Sequence, residues 1–433
     1  MKARKSYHGF IVIILMVFIV ILESSTAFPI TNTDEWRFTD FNFAPPGARA
    51  SGMGGAFVGL ADDATAAVTN PAGLAQLPRT QVAVEGNYKY YDKQRDSKVW
   101  NSWWNSNGNN VPGDGHVTYQ DTKIETNTKF SFAAVSTPLF DKAVTVSIFY
   151  NKVANSNTNG NYSRHDSYSN FDQPTHNEVS IDEYGLSVAK GFLDDKLFLG
   201  VGVSAVYLDL KSEYMIDSAH DDTMTSAGSS TKLAYRAGVL FLPWDFISFG
   251  MNFNRMPKFD YTSAYPYYFT SSGNPYAGMA TFGESYKIPD NFSIGAAIKP
   301  LKNWTIVTEG KYVFYSDLME DFKPALYINQ NPNDLNPSNY SIKDVWEFHL
   351  GTEYVFMLQD TPLAVRAGTY FDPKHALYAN SQTNYNGLDK GGESLWHYTV
   401  GLGTVLANHW QIDTAADIAK DRGKVTLSMV YQF

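Results

Sequence analysis

From Val425 to the last residue the chain alternates, with Val425, Leu427, Met429, Tyr431 and Phe433 on one parity and Thr426, Ser428, Val430 and Gln432 on the other. Successive side chains of a strand point to opposite faces, so this segment has an apolar face and a mostly polar one. The pattern recurs upstream, where Trp410, Ile412, Thr414, Ala416 and Ile418 interleave with Gln411, Asp413, Ala415, Asp417 and Ala419. At the far end Val82, Val84, Tyr88 and Tyr90 interleave with Gln81, Glu85, Asn87 and Lys89. A chain of two-faced strands must build a sheet with one apolar and one polar side. That leaves a soluble sandwich or a barrel in lipid.

Composition separates the two. Aromatic residues make up 15% of the chain and charged residues only 18%, against about 25% charged in ordinary soluble proteins. No segment after the N-terminus is apolar for long enough to be a membrane helix, whereas a barrel strand is apolar only on alternate residues. Fourteen strands are expected to begin near residues 80, 125, 142, 178, 195, 230, 245, 285, 302, 343, 361, 393, 408 and 423. Their connections alternate between short turns, as at Pro138 to Lys142 or Ala407 to His409, and long polar loops, as at 92–124 or 317–342. This is the turn and loop asymmetry of an outer-membrane barrel, and a sandwich has no reason to show it. The expected fold is therefore all-β, a transmembrane antiparallel β-barrel of about fourteen strands. One irregularity is expected: Val179 and Ile181 lie on one parity and Tyr184, Leu186 and Val188 on the other, which predicts a β-bulge at residue 182 or 183.

The N-terminus reads as an export signal. Lys2, Arg4 and Lys5 precede an apolar run from Phe10 to Leu22, and Ser24-Ser25-Thr26-Ala27 offers a cleavage site after Ala27. The thirteen residues of that run fall short of the roughly 20 needed to span a bilayer. The expected division is a signal peptide at 1–27, a leader and plug at 28–79 and the barrel at 80–433, in the outer membrane of a Gram-negative bacterium. The chain has no Cys, so lipoprotein anchoring and disulfides are excluded. Its net charge of −10 comes without a basic stripe, which argues against nucleic acid. The nine His lack metal-ligand spacing and no phosphate loop precedes a helix, so neither metal, cofactor nor enzyme is expected. His349 and His397 are the residues to test for a hydrolytic site assembled from separate strands.

Residues 47–79 read GARASGMGGAFVGLADDATAAVTNPAGLAQLPR, a small-residue stretch suited to tight packing inside a barrel. Ala61 to Thr65 are expected to start a short helix with an Asp cap, ended by Asn70-Pro71. Gly47 and Arg49, then Gly54 and Gly55, then Asp62 and Asp63, then Asn70, Pro71 and Ala72 stand in an order that resembles the FadL/TodX family of outer-membrane transporters for long-chain fatty acids and aromatic hydrocarbons. Ile288 to Gly295 looks like a strand start of the same family. The resemblance implies a fourteen-stranded barrel plugged by an N-terminal hatch, and uptake of hydrophobic small molecules. Residues 28–46 depart from it as a longer and more aromatic leader. Related barrels with this motif also serve secretion machinery, so a protein-interaction barrel, with a partner at the extracellular loops, is the alternative.

Strand parity assigns a lumen face that includes Glu85, Lys89, Arg236, Glu309, Lys311, Glu347, His349, Glu353, Arg366, Asp413 and Asp417. Charge belongs there, because a midplane Arg or Lys facing lipid costs about 2–4 kcal/mol. Arg236 and Lys311 fall at similar heights and are the candidate cations for a carboxylate head group, with Glu309 as a competitor for Lys311. Above them Tyr265, Tyr267, Tyr268 and Phe269 offer a candidate aromatic surface for an incoming ligand. Trp100, Trp103 and Trp104 are assigned to a membrane-interface girdle. The expected partners are a hydrophobic small molecule and outer-membrane lipid.

Overall fold

Two-faced strands need lipid for one side, and in lipid no strand edge can leave its N–H and C=O groups unpaired; closing the sheet answers both demands. The computed structural model describes residues 41, 43–91, 95–104, 110–124, 129–140, 143–165, 170–217, 222–271, 274–322, 336–375, 377–379, 394–420 and 422–433. Within them, β1 Gln81–Tyr91, β2 Lys129–Leu139, β3 Val144–His165, β4 Asn170–Phe192, β5 Leu197–Asp217, β6 Asp222–Trp244 and β7 Ile247–Arg255 form one half of a ring. The other half is β8 Asn291–Leu301, β9 Trp304–Val313, β10 Val345–Leu358, β11 Thr361–Asp372, β12 Leu395–Leu406, β13 Trp410–Ile418 and β14 Arg422–Gln432. Each strand pairs antiparallel with the next, and β14 returns to β1, from Gln81 opposite Gln432 to Tyr91 opposite Arg422. The ring has the fourteen strands that the alternation announces. β4 and β6 begin at Asn170 and Asp222 rather than near 178 and 230, because they run on past the point where their outward face stops being apolar.

The turns at one end are short, and several use left-handed residues without glycine: Phe140, Leu193, Asp194, Asp195, Gln359, Ala407 and Asn408 have φ between 50° and 59°. The other end carries the long connections. One holds the hairpin of Lys258–Ser271 with Asn274–Lys287, and another holds Arg95–Trp104 with Asn110–Ile124. Short turns mark the periplasmic end of such barrels.

Outward side chains form the lipid-facing belt. Leu199, Val201, Val239, Phe249, Met251, Ile294, Val400, Leu402, Val425 and Leu427 are exposed on it. Trp244, Phe246, Trp304, Trp410 and Phe433 ring its turn end, and Trp346, Phe348, Trp396 and Tyr398 its loop end. Those rings supply the aromatic girdles; the side chains of Trp100, Trp103 and Trp104 lie outside the described residues. Among the described residues no helix is long and apolar enough to cross a membrane.

The predicted bulge is on the adjacent strand. Asp182 pairs with Lys152 and Ile181 with Ala154, so the extra residue is Val153 of β3. On β4 the buried parity runs unbroken through Val179, Ile181, Glu183, Ser187 and Ala189. What changes along β4 is polarity and not facing. Below residue 183 in sequence the strand has left the belt, so its outward residues are Glu178, Ser180 and Asp182 and its inward ones are Val179 and Ile181.

Candidate functional site

The lumen is occupied from below by residues 43–79, bound to the wall around most of its circumference. Gly47 has φ +101°, a conformation that strains any residue with a Cβ, and its N–H donates to the Glu85 carboxylate on β1. The Ala48 N–H donates to Ser428 Oγ on β14 at 3.0 Å. Arg49 lies in the first helical turn, Ala48–Gly52, and forks between two acids. Its Nε and Nη2 donate to Glu353 on β10, each at 2.9 Å, and its Nη1 to Asp62 at 2.5 Å. Glu353 also accepts from Arg366 Nε on β11 at 2.7 Å, and Arg366 Nη1 lies 2.8 Å from Asp413 on β13. Burial opposes the charge of Arg49, but Asp62 and Glu353 hold its pKa well above the ordinary value. Burial pushes the neighbouring Asp63 up to about 6, against the pull of Arg49.

The middle of the hatch hangs from Glu309 on β9, whose Oε2 accepts the Phe57 and Val58 N–H groups at 2.9 and 3.0 Å. Glu309 is thus bonded to the hatch. Gly54 donates to Thr399 Oγ1 on β12 at 2.9 Å, and its carbonyl lies 2.7 Å from His349 Nδ1 on β10, which must carry the proton because a carbonyl only accepts. The short helix begins at Ala66 rather than within Ala61 to Thr65; Asp63 accepts from the Thr65 N–H and hydroxyl, making a turn before the helix. Asn70 ends it. The Asn70 side chain donates to the carbonyls of Val58 and of Val239 on β6, at 2.9 and 3.0 Å, and accepts from Ala72 N–H, starting the 3-10 turn Pro71–Gln76.

Glycines of the wall let this backbone close in. A Cβ on Gly351 would lie 2.1 Å from the Met53 carbonyl oxygen, and one on its cross-strand partner Gly368 would lie 2.3 Å from the Gly54 nitrogen. Gly200 and Gly238, also directly opposed, make the same room for Pro71 and Asn70.

Above the hatch the lumen has an apolar and a polar side. Val179, Ile181, Val206, Leu208, Leu210, Met256, Phe259, Tyr286, Tyr315 and Phe322 belong to one buried apolar cluster under the loops, with Phe41 and Phe43 of the N-terminal segment packed against it. β5 shows how it arises: Leu199, Val201 and Val203 face lipid while Gly200, Gly202 and Ser204 face in, and past Ala205 the order reverses, with Asp209 and Lys211 outside and Val206, Leu208 and Leu210 inside. Phe43, Ala44 and Lys311 form the partition between two cavities, of about 920 and 520 Å³ including their open mouths. The larger is lined by the aromatic rings of Phe41, Phe43 and Tyr315 and by the polar groups of His349, Tyr370, His397, Asp417 and Lys424.

Arg236 and Lys311 line the smaller cavity together, as their parity and height predict. Arg236 pairs with buried Glu183 on β4, lies 4.8 Å over the Phe149 ring and donates at 3.3 Å to the carbonyl of Ala67, within the short hatch helix. Lys311 donates to the Phe43 carbonyl at 2.7 Å and lies 3.8 Å from Glu347. Tyr265, Tyr267, Tyr268 and Phe269 fall on the hairpin strand Lys258–Ser271, and their side chains lie outside the described residues. So do residues 1–27, expected as a signal peptide, and all of residues 28–46 except Phe41 and 43–46. Glu183, Tyr370 and the residues of the apolar chamber were not expected; the swap of polarity along β4 and β5 is the signal for Glu183 and the chamber, and Tyr370 on β11 has none of that kind.

A family model described as outer membrane protein transport protein (OMPP1/FadL/TodX) matches residues 43–417. Solved structures share the fold. A FadL homologue of Pseudomonas aeruginosa superposes with a TM-score of 0.60 at 13% identity, over 95% of this chain and 100% of its own. The toluene transporter TbuX of Ralstonia pickettii gives 0.59 at 15% identity over 90% and 99%. The toluene transporter TodX of P. putida gives 0.57 at 15% identity, again over 90% and 99%. Among curated proteins none matches the sequence.

Proposed function

Because the chain belongs to the outer membrane protein transport family (OMPP1/FadL/TodX), we propose that its solutes are hydrophobic small molecules, with aromatic hydrocarbons and long-chain fatty acids as the two classes, and that it carries them inward as a transporter and not as an enzyme. The reading rests on one observation: where β4 and β5 leave the membrane belt, their apolar side chains turn from the outside of the barrel to the inside. Such residues gain nothing from facing a polar lumen. They suit a solute that exchanges water for apolar surface, at about 25 cal/mol per Å² buried. The two toluene transporters of the same fold support the aromatic class, and the fatty-acid class rests on the resemblance of residues 47–73 to the family.

In this reading residues 1–27 direct export, 28–79 are leader and hatch, and Tyr265, Tyr267, Tyr268 and Phe269 catch the solute before it enters the chamber. Lys311 is the cation for an acid head group, because its present acceptor is a main-chain carbonyl that a carboxylate replaces with a stronger charge-assisted bond. Arg236 already holds Glu183 and the hatch, so it acts by keeping the floor in place.

The test is uptake of labelled toluene and labelled oleate by cells whose only such barrel is this one. Leu208→Asn with Leu210→Asn is expected to slow both solutes at least about five-fold while the protein still inserts. Lys311→Gln is expected to slow oleate alone. Unchanged uptake of both solutes by the Leu208/Leu210 variant would remove the chamber from the path.

A further inference from the structure

His397, on β12, has a ring nitrogen that the hatch and the wall leave unused. The residue is 6% exposed and lines the larger cavity. Its Nδ1 lies 2.8 Å from Asp417 Oδ1, and the Tyr370 hydroxyl donates to the other oxygen, Oδ2, at 2.8 Å. With Asp417 accepting at both oxygens, Nδ1 carries the proton, and an imidazole with no second proton then presents a lone pair at Nε2. That Nε2 is buried and has no hydrogen-bond partner among the described residues. The ring is held in place by Tyr370, stacked on it at 4.2 Å and on His349 at 5.1 Å by its other face. His349 Nε2 is likewise buried without a hydrogen bond, but the Glu347 carboxylate lies 3.4 Å from it.

We propose that this is a hydroxyl-selective subsite, in which His397 Nε2 accepts a hydrogen bond from the O–H of an otherwise apolar solute, a phenol or an alcohol. The proposal rests on the uptake reading and names a substrate class for it. Phe41, Phe43 and Tyr315 line the same cavity as His397, so one solute can lay its apolar body against those rings and its hydroxyl on the imidazole. A buried acceptor without a donor is unfavourable, and a solute that brings the donor removes that penalty, whereas a plain hydrocarbon leaves it. An ionised acid is disfavoured at this atom, because it meets a lone pair backed by the Asp417 carboxylate. Asp417 is a positioning residue: it fixes which nitrogen holds the proton.

The experiment measures binding of p-cresol, 4-methylanisole and toluene to the full chain purified in detergent, by calorimetry at pH 8, above the ordinary histidine range. His397→Phe is expected to weaken p-cresol about ten-fold and to leave toluene within about two-fold. Asp417→Asn keeps the volume and supplies a purely structural control with a distinct readout. Its amide oxygen takes the Tyr370 hydroxyl and its N–H₂ faces Nδ1, which moves the proton to Nε2, as in the Asp-to-Asn change of the serine protease triad. The variant is therefore expected to favour 4-methylanisole, which only accepts, over p-cresol, reversing the wild-type order. Equal loss of p-cresol and toluene in His397→Phe, or an unchanged order in Asp417→Asn, would overturn the subsite. If wild type transports toluene and p-cresol binding ignores His397, the subsite falls and the uptake reading stands. If wild type neither binds nor transports any of the three, both fall.

Discussion

Asn70 has no exposed surface, and its amide bonds two carbonyls and one N–H. Asn70→Ala leaves those groups without partners, at about 1–3 kcal/mol for a buried polar group so orphaned. The expected result is a barrel that assembles but admits a large antibiotic such as vancomycin, read as a lowered inhibitory concentration; wild-type resistance would mean the hatch is held without this residue. Asp63 gives a pH dependence whose sign can be worked out. Docked, its pKa is about 6, above the ordinary 3.8. Between those values the docked carboxyl keeps a proton that a solvated one releases, so docking weakens as pH rises and the full loss, on the order of 2–3 kcal/mol, is present above about pH 6. Hydrogen exchange of the amides at 60–67 is expected to be slower at pH 5 than at pH 7.5, after correction for intrinsic rates, and Asp63→Asn to flatten the difference. The inward facing of Arg236, Lys311, Glu309 and Glu353 was legible in the sequence, because period two fixes a face without knowledge of the fold. Their partners were not, since Arg236 meets Glu183 from two strands away, and reading the polarity swap on β4 as a bulge left Glu183 off the lumen face.

At the scale of elements, the hatch has little regular structure of its own and takes its shape from the wall. Its helices are five and four residues long, Ala48–Gly52 and Ala66–Thr69, below the length at which a helix persists alone, about 12–15 residues. Opposed glycines on β5 and β6 and on β10 and β11 are the recesses it fills. Gly351→Val sets a side chain where the Met53 carbonyl now lies and is expected to unseat the hatch there. The ring of strand hydrogen bonds does not depend on that contact, so the variant should keep its heat-modifiable migration on gels while permeability rises. Gly310→Ala is the comparison, because its new Cβ comes no closer than 3.4 Å to any atom and meets only the ring edges of Trp346 and Phe348. A permeability equal in the two variants would show that the recess is not what seats the hatch. All fourteen strands were legible from alternation and loop length, since both follow from a barrel crossing lipid. The glycine recesses were not: in sequence they are ordinary strand glycines, and only the register that opposes Gly351 to Gly368 gives them a purpose.

At the scale of the whole molecule, the question is whether the hatch leaves when a solute passes. It is tied to β1, β6, β9, β10, β12 and β14 by bonds to Glu85, Val239, Glu309, Glu353, Thr399 and Ser428. Removing one partner of a single buried pair such as Arg49–Glu353 costs about 3–5 kcal/mol. A solute bound at micromolar strength supplies about 8 kcal/mol in all, and only the part of it that distinguishes a docked from an undocked hatch can shift the balance. Several ties broken together exceed that, so a passing solute is expected to move the hatch locally and leave it seated. The chain has no cysteine, which makes the test clean. Ala48 and Ser428 are in direct contact, N–H to hydroxyl at 3.0 Å, and Ala48→Cys with Ser428→Cys joins hatch to wall when oxidised, with the bridge confirmed by mass. Toluene uptake by cells carrying the oxidised double variant is expected to stay within about two-fold of the reduced form, because the bond fixes the hatch only at β14, four strands round the ring from β4, while the apolar chamber and Arg236 lie at β4 to β6. Uptake that stops on oxidation and returns on reduction would instead require the hatch to swing away as a unit, and the energy for that would have to come from a partner outside the barrel, since the solute cannot supply it.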